Sequence, residues 1–232
     1  MSAAPQVEIL EYCETPIGVL CLRRRELLSD PGTLVTEVTL DHEFLMSSYN
    51  TASETALTKI ALEWHGGSEL AVLVGGLGLG YTAHTALKSP QVRKVDVLEL
   101  LPQVISWLPR GLVPLAESLL AESRFQVTEG SIFKHLDSEP VARYDAVLID
   151  VDHSPDELLD PRNATFYTEA GLRQAREHIA DKGVLAVWSS AESEVLVRTL
   201  EKVFSEVRIE RVRWRNDLID EDQHDDLFLA RR

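Results

Sequence analysis

The residues in this chain best suited to chemistry are acids standing where apolar runs end. Glu99 closes the run 95–99, Glu129 follows the run 125–128, and Asp150 closes the run 146–150. Ahead of them, the apolar run 70–74 feeds the glycine turn Gly75-Gly76-Leu77-Gly78-Leu79-Gly80, which opens a helix. Glycines in such a turn let backbone N–H groups approach a ligand without interference from Cβ atoms. A tight strand-to-helix connection uses the same residues, so the turn alone decides nothing. Glu99 adds the second half of a signature, because a carboxylate at the end of the next strand, about 20 residues on, is placed to accept both hydroxyls of a ribose. The order of glycines differs from GxGxxG, which argues against a dinucleotide dehydrogenase. Glu129 and Gly130 fall beside the same cleft if ligands sit at strand carboxyl ends; an ordinary solvated glutamate is the other reading of Glu129.

The elements that must carry these residues follow from hydrophobic periodicity. From residue 70 onward, buried strands at 70–74, 95–99, 125–128, 146–150 and 184–189 alternate with helical spacing at 102–107, 167–180 and 192–204. Strand then helix, repeated, implies a mostly parallel sheet with helices on both faces. Two further strands, 207–214 and 227–230, are joined across 216–226, where Asp220-Glu221-Asp222 reads as a solvated loop rather than a metal site. Before residue 50 the chain reads as a small β appendage with extended segments 7–13, 18–22 and 33–40, separated by Thr15-Pro16 and Ser29-Asp30-Pro31-Gly32. A linking helix from about Ser53 carries Leu57, Ile60, Ala61 and Trp64 at i, i+3, i+4 and i+7, and Gly66-Gly67 stops it. The expected organisation is a β segment over residues 1–50 and a nucleotide-binding α/β domain over residues 51–232.

With 38 acidic against 23 basic residues, the net charge is −15. That disfavours a nucleic-acid partner and favours the approach of a cation. No stretch approaches the roughly 20 apolar residues that span a bilayer, and the Met1-Ser2-Ala3-Ala4-Pro5 start lacks the pattern of a signal peptide. The expectation is a soluble cytoplasmic protein with no membrane partner. Its two cysteines, Cys13 and Cys21, read as reduced thiols, and no Cys/His cluster suggests a metal.

The segment Tyr144-Asp145-Ala146-Val147-Leu148-Ile149-Asp150, the acidic proline-containing loop after it, Phe166-Tyr167 and Lys182-Gly183 together resemble the spermidine synthases, the polyamine aminopropyltransferases. The resemblance implies a Rossmann-like class I methyltransferase fold, α/β, with a mostly parallel seven-stranded sheet and a small N-terminal β appendage. It implies an S-adenosyl nucleotide, S-adenosylmethionine or its decarboxylated form, as donor, held by Gly75, Gly76, Gly78, Gly80, Glu99, Glu129, Gly130 and Asp150, with no metal. Asp150 takes the position of the catalytic aspartate, with Asp152 as a helper. Glu54, Tyr49, His153 and Tyr167 are the candidates for binding a small amine or other small acceptor, and a homodimer is expected. In three places the chain departs from the family. Gly78 replaces an aspartate of the glycine turn, Ala52-Ser53-Glu54 keeps only the glutamate of a Tyr-His-Glu or Tyr-Gln-Glu segment, and Ala83-His84 replaces an Arg-Glu pair. Aminopropyl transfer to a di- or polyamine is the first reading. Methyl transfer from S-adenosylmethionine to a small molecule, which Gly78 favours, and a non-catalytic nucleotide-binding relative are the alternatives.

Overall fold

The computed structural model describes residues 7–216 and 220–232; the chain start, Met1 to Pro5, and part of the 216–226 connection lie outside the described residues. Seven strands form the main sheet in the order β10-β11-β9-β8-β5-β6-β7. Within it, β5 (Leu70–Gly75), β6 (Val92–Glu99), β7 (Phe125–Glu129), β8 (Tyr144–Ile149) and β9 (Ile179–Ser189) are parallel. The strand β11 (Glu221–Arg231) pairs antiparallel with both β9 and β10 (Glu206–Asn216). This is the mostly parallel sheet expected from the alternating pattern, with the seven strands that the resemblance implies.

Side-chain alternation sorts the strands onto two cores. Leu70, Val72, Val74, Val95, Val97 and Leu148 face one side, against α1 (Ala52–His65), α2 (Tyr81–Lys88), α3 (Pro102–Trp107) and α4 (Ala116–Leu120). Leu73, Val147, Ile149, Leu185 and Val187 face the other, against α5 (Ile132–Leu136), α6 (Glu169–Glu177) and α7 (Glu194–Val203). Strands buried on both faces carry near-continuous apolar runs because no face meets water.

The N-terminal segment is a four-stranded antiparallel sheet, β1 (Val7–Thr15), β2 (Gly18–Glu26), β3 (Leu34–Leu40) and β4 (Glu43–Ser47). Its Leu20, Leu22, Val38 and Leu40 pack into the first core. The strand β4 exceeds the three expected segments. It returns through Asp41-His42, both with positive φ (48° and 72°), the mirror-image geometry that suits a two-residue hairpin.

Three further expectations change. The helix expected at 167–180 spans Glu169–Glu177: Thr168 caps it, accepting from Gly171 N, and Ile179 and Ala180 already belong to β9. The expected connection 216–226 is shorter, because β11 begins at Glu221. The acidic run there is held by charge, with Arg215 paired to Asp220 and, at 3.3 Å, to Asp222. Among the described residues, no helix is long and apolar enough to cross a membrane.

Candidate functional site

Two chambers meet at the carboxyl ends of β5, β6 and β8. The first, about 780 Å³ of partly open space, lies between the N-terminal sheet (Ile17, Leu20, Val38, Leu40) and the main sheet's edge, where Glu99, Trp107 and Gly130 through Phe133 form its wall. The second, about 650 Å³, is lined by Glu54, the glycine turn, Tyr81, Thr82, His153 and Trp188. Asp150, Gly76 and Gly78 belong to both.

Glu99 is 8% exposed and is oriented by the glycine turn itself. Its Oε2 accepts from Leu77 N at 2.9 Å and its Oε1 from Leu101 N at 2.8 Å. Burial raises its pKa, and backbone N–H groups of Leu101, Leu77, Gly78 and Leu100 oppose the rise. These backbone N–H groups fix the orientation of the carboxylate in the wall of the first chamber, where it is the acceptor a ligand hydroxyl would meet.

Asp150 follows β8, held where the glycine turn closes on it. Its N donates to Gly75 O at 3.0 Å. A Cβ on Gly76 would lie 2.4 Å from Asp150 O, and Gly76 has φ +89°, so only glycine allows this approach. The Thr82 hydroxyl, from the first turn of α2, donates to Asp150 Oδ2 at 2.7 Å. Burial pushes the carboxyl up to about 6, with the charge of Asp225 adding to the rise and the Thr82 bond opposing it.

Glu54, in the first turn of α1, stands in the second chamber. Burial, and then the charges of Asp150 and Asp225, push it up to about 8, above Asp150, so Glu54 holds its proton more tightly than Asp150 does. Asp225 went unnoticed in the sequence because it fell inside the presumed connection. In the structure it is 8% exposed and accepts from Trp214 Nε1 at 3.2 Å, and burial raises its pKa. The signal available was its position just ahead of the apolar run Leu227–Ala230, where a strand would carry it inward. Trp188 was missed for a similar reason: it sits in the run 184–189, read simply as buried strand.

The remaining candidates separate. Gly80 and His153 line the second chamber; the carbonyl of His153 accepts from Ser190 N and Oγ, both at 2.8 Å. Gly130 lines the first, whereas the Glu129 side chain is exposed and outside its wall. Gly75 is buried behind the turn, with Ile132 where its Cβ would be. Tyr49, Asp152 and Tyr167 line neither chamber. Asp152 is 1% exposed, accepting at Oδ1 from Leu159 N (2.9 Å) and Asn163 Nδ2 (2.8 Å) and at Oδ2 from the Tyr167 hydroxyl (3.0 Å). It thereby ties down the loop whose Leu159, Asp160 and Asn163 wall the first chamber. Two aromatic residues also reach the cleft, Trp107 in the first chamber and Tyr81 in the second.

No protein-family model matches the chain. Among curated proteins it is similar to polyamine aminopropyltransferase 2 of Streptomyces coelicolor, 35% identical over 128 residues, which are 53% of this chain and 22% of that protein. It is also similar to the polyamine aminopropyltransferase of Sulfolobus acidocaldarius, 26% identical over 142 residues, 59% of this chain and 46% of that protein. The matches thus span less than half the length of these curated relatives. Among solved structures, the spermidine synthase from Thermotoga maritima superposes with a TM-score of 0.74 at 16% identity, over 96% of this chain and 72% of that one. A spermidine synthase in complex with the transition-state analogue AdoDATO gives 0.72 at 14% identity, with the same coverage. At these identities the structures establish the fold, which the chain shares nearly end to end.

Proposed function

We propose that this chain transfers an aminopropyl group from decarboxylated S-adenosylmethionine to a small di- or polyamine. One observation carries the reading: Asp150, held by Thr82, stands at the junction of a largely apolar chamber containing Glu99 and a second chamber containing the acid Glu54. The names of the relatives, polyamine aminopropyltransferases and spermidine synthases, support it.

In this reading Glu99 holds the ribose of the donor and the glycine turn follows its backbone. An alkylamine of pKa near 10 is protonated at pH 7, and freeing its lone pair costs about 4 kcal/mol. Asp150 binds the ammonium, accepts its proton and aims the nitrogen at the carbon beside the sulfonium. The C–N bond forms as the C–S bond breaks; 5′-methylthioadenosine leaves and the proton passes from Asp150 to water. The elevation of the Asp150 pKa by burial makes it a better proton acceptor than an ordinary aspartate. Asp152 and Tyr167 serve as positioning residues for the loop, and His153 and Glu54 face the acceptor.

The reading takes residues 1–50 and 51–232 as two units of a cytoplasmic homodimer with no membrane or nucleic-acid partner. The strongly negative charge supports the last point. A second reading, methyl transfer from S-adenosylmethionine, is favoured by the absence of a carboxylate at Gly78.

Calorimetric titration with both donor forms and methylthioadenosine, followed by product analysis with diamines, tests the proposal. Asp150→Asn is expected to keep donor binding and abolish turnover. Binding of none of the three nucleosides, or full turnover by Asp150→Asn, refutes it.

A further inference from the structure

The junction between the chambers is lined by Leu45, Met46, Gly76, Gly78, Asp150, Val151 and Leu159, and Asp150 is the one charged side chain among them. A donor with its ribose at Glu99 and its reacting carbon at Asp150 must pass its tail through this junction. There the glycine turn and the N-terminal sheet compete for one space. Gly78 has φ +50°, and a Cβ added to it would lie 2.7 Å from Met46 Sδ and 3.0 Å from Met46 Cε. Met46 reaches this point because β4 pairs with β3, Met46 opposite Val38, so that the short hairpin hangs over the turn. A neutral, polarisable thioether therefore stands where a side chain from the turn would otherwise project.

We infer that Met46 is a specificity-determining residue, resting on the nucleotide reading above: it fills the space in front of Gly78 without adding a charge, so that Asp150 is the one charge a tail meets at this junction and donors with and without a tail carboxylate are discriminated only weakly. A thioether neither repels a carboxylate nor pairs with an ammonium, and discrimination between two donors that differ by one charge requires a charge to read it. The contact also explains how the turn dispenses with a side chain at 78. The space is already filled from another part of the chain.

The test is equilibrium binding of S-adenosylmethionine, decarboxylated S-adenosylmethionine and 5′-methylthioadenosine to the wild-type chain and to Met46→Glu, Met46→Lys and Met46→Gln. The wild type and Met46→Gln are expected to bind the two donors within about tenfold of each other. Met46→Glu should move the ratio at least about tenfold toward the decarboxylated form, and Met46→Lys by a similar factor the other way. Opposite shifts read charge, which disturbed packing would not produce. A wild-type preference beyond about tenfold, or equal ratios in the Glu and Lys variants while methylthioadenosine still binds, overturns the inference and leaves the functional reading standing. If the charged variants bind no nucleoside, the wild-type and Gln ratios decide. Failure of the wild type to bind any of the three overturns both.

Discussion

Replacing Glu54 with Gln should remove a pH dependence of stability that is built into the acidic chamber. In the folded chain, burial and the neighbouring charges of Asp150 and Asp225 push the Glu54 carboxyl from 4.5 up to about 8. A carboxyl raised in this way keeps its proton in the native state while the unfolded chain releases it. Native stability is therefore greatest below the unfolded value, declines as pH rises through the window between the two values, and levels off above about 8. At ~1.4 kcal/mol per unit the full shift corresponds to roughly 5 kcal/mol. Glu54 is only partly enclosed and shares its electrostatic burden with Asp150, so roughly 2 kcal/mol is the expected effect. Urea denaturation at several pH values between about 5 and 8 measures it. Wild-type stability should fall by that amount more than Glu54→Gln stability across the window. Parallel curves for the two proteins would show that Glu54 ionises normally in the fold and that the chamber is not desolvated as described.

Thr82→Val removes the 2.7 Å bond that favours the ionised form of Asp150. The Asp150 pKa should then rise further, carrying the acid limb of the rate profile up by about one pH unit, with donor affinity unchanged; steady-state kinetics against pH checks this. Asp152→Ala strands Leu159 N, Asn163 Nδ2 and the Tyr167 hydroxyl, and thermal unfolding should register a loss of roughly 3 kcal/mol together with weakened nucleoside binding. Asp152→Asn, which preserves the volume and one acceptor, should lose less in both measurements.

Much of the main domain was legible because its physics is local. Apolar runs of strand length alternating with helical spacing leave few solutions other than a covered parallel sheet, and glycines followed by an acid at the next strand end identify where that sheet opens. Glu99 and Asp150 were readable for the same reason, since a residue at or just past the end of a parallel strand has a predetermined position. The resemblance to the spermidine synthases added the Phe166-Tyr167 segment and an expected role for Asp150.

What the tertiary structure decided concerns partners distant in sequence. Asp152 has the same residue type as Asp150 and lies two positions away, yet its oxygens are taken up by Leu159, Asn163 and Tyr167, and nothing in spacing distinguishes the two. Asp225 joins Glu54 and Asp150 only because β11 extends back to Glu221 and pairs with both β9 and β10. The aromatic residues Trp107, Tyr81 and Trp188 acquire roles once the chambers exist. The sequence by itself therefore determined the sheet, the glycine turn and the two acids at strand ends, because periodicity and strand-end position are properties of neighbouring residues. Which acids share a charge, and that Met46 occupies the space in front of Gly78, depended on side chains brought together from separate elements, and only packing in three dimensions specifies that.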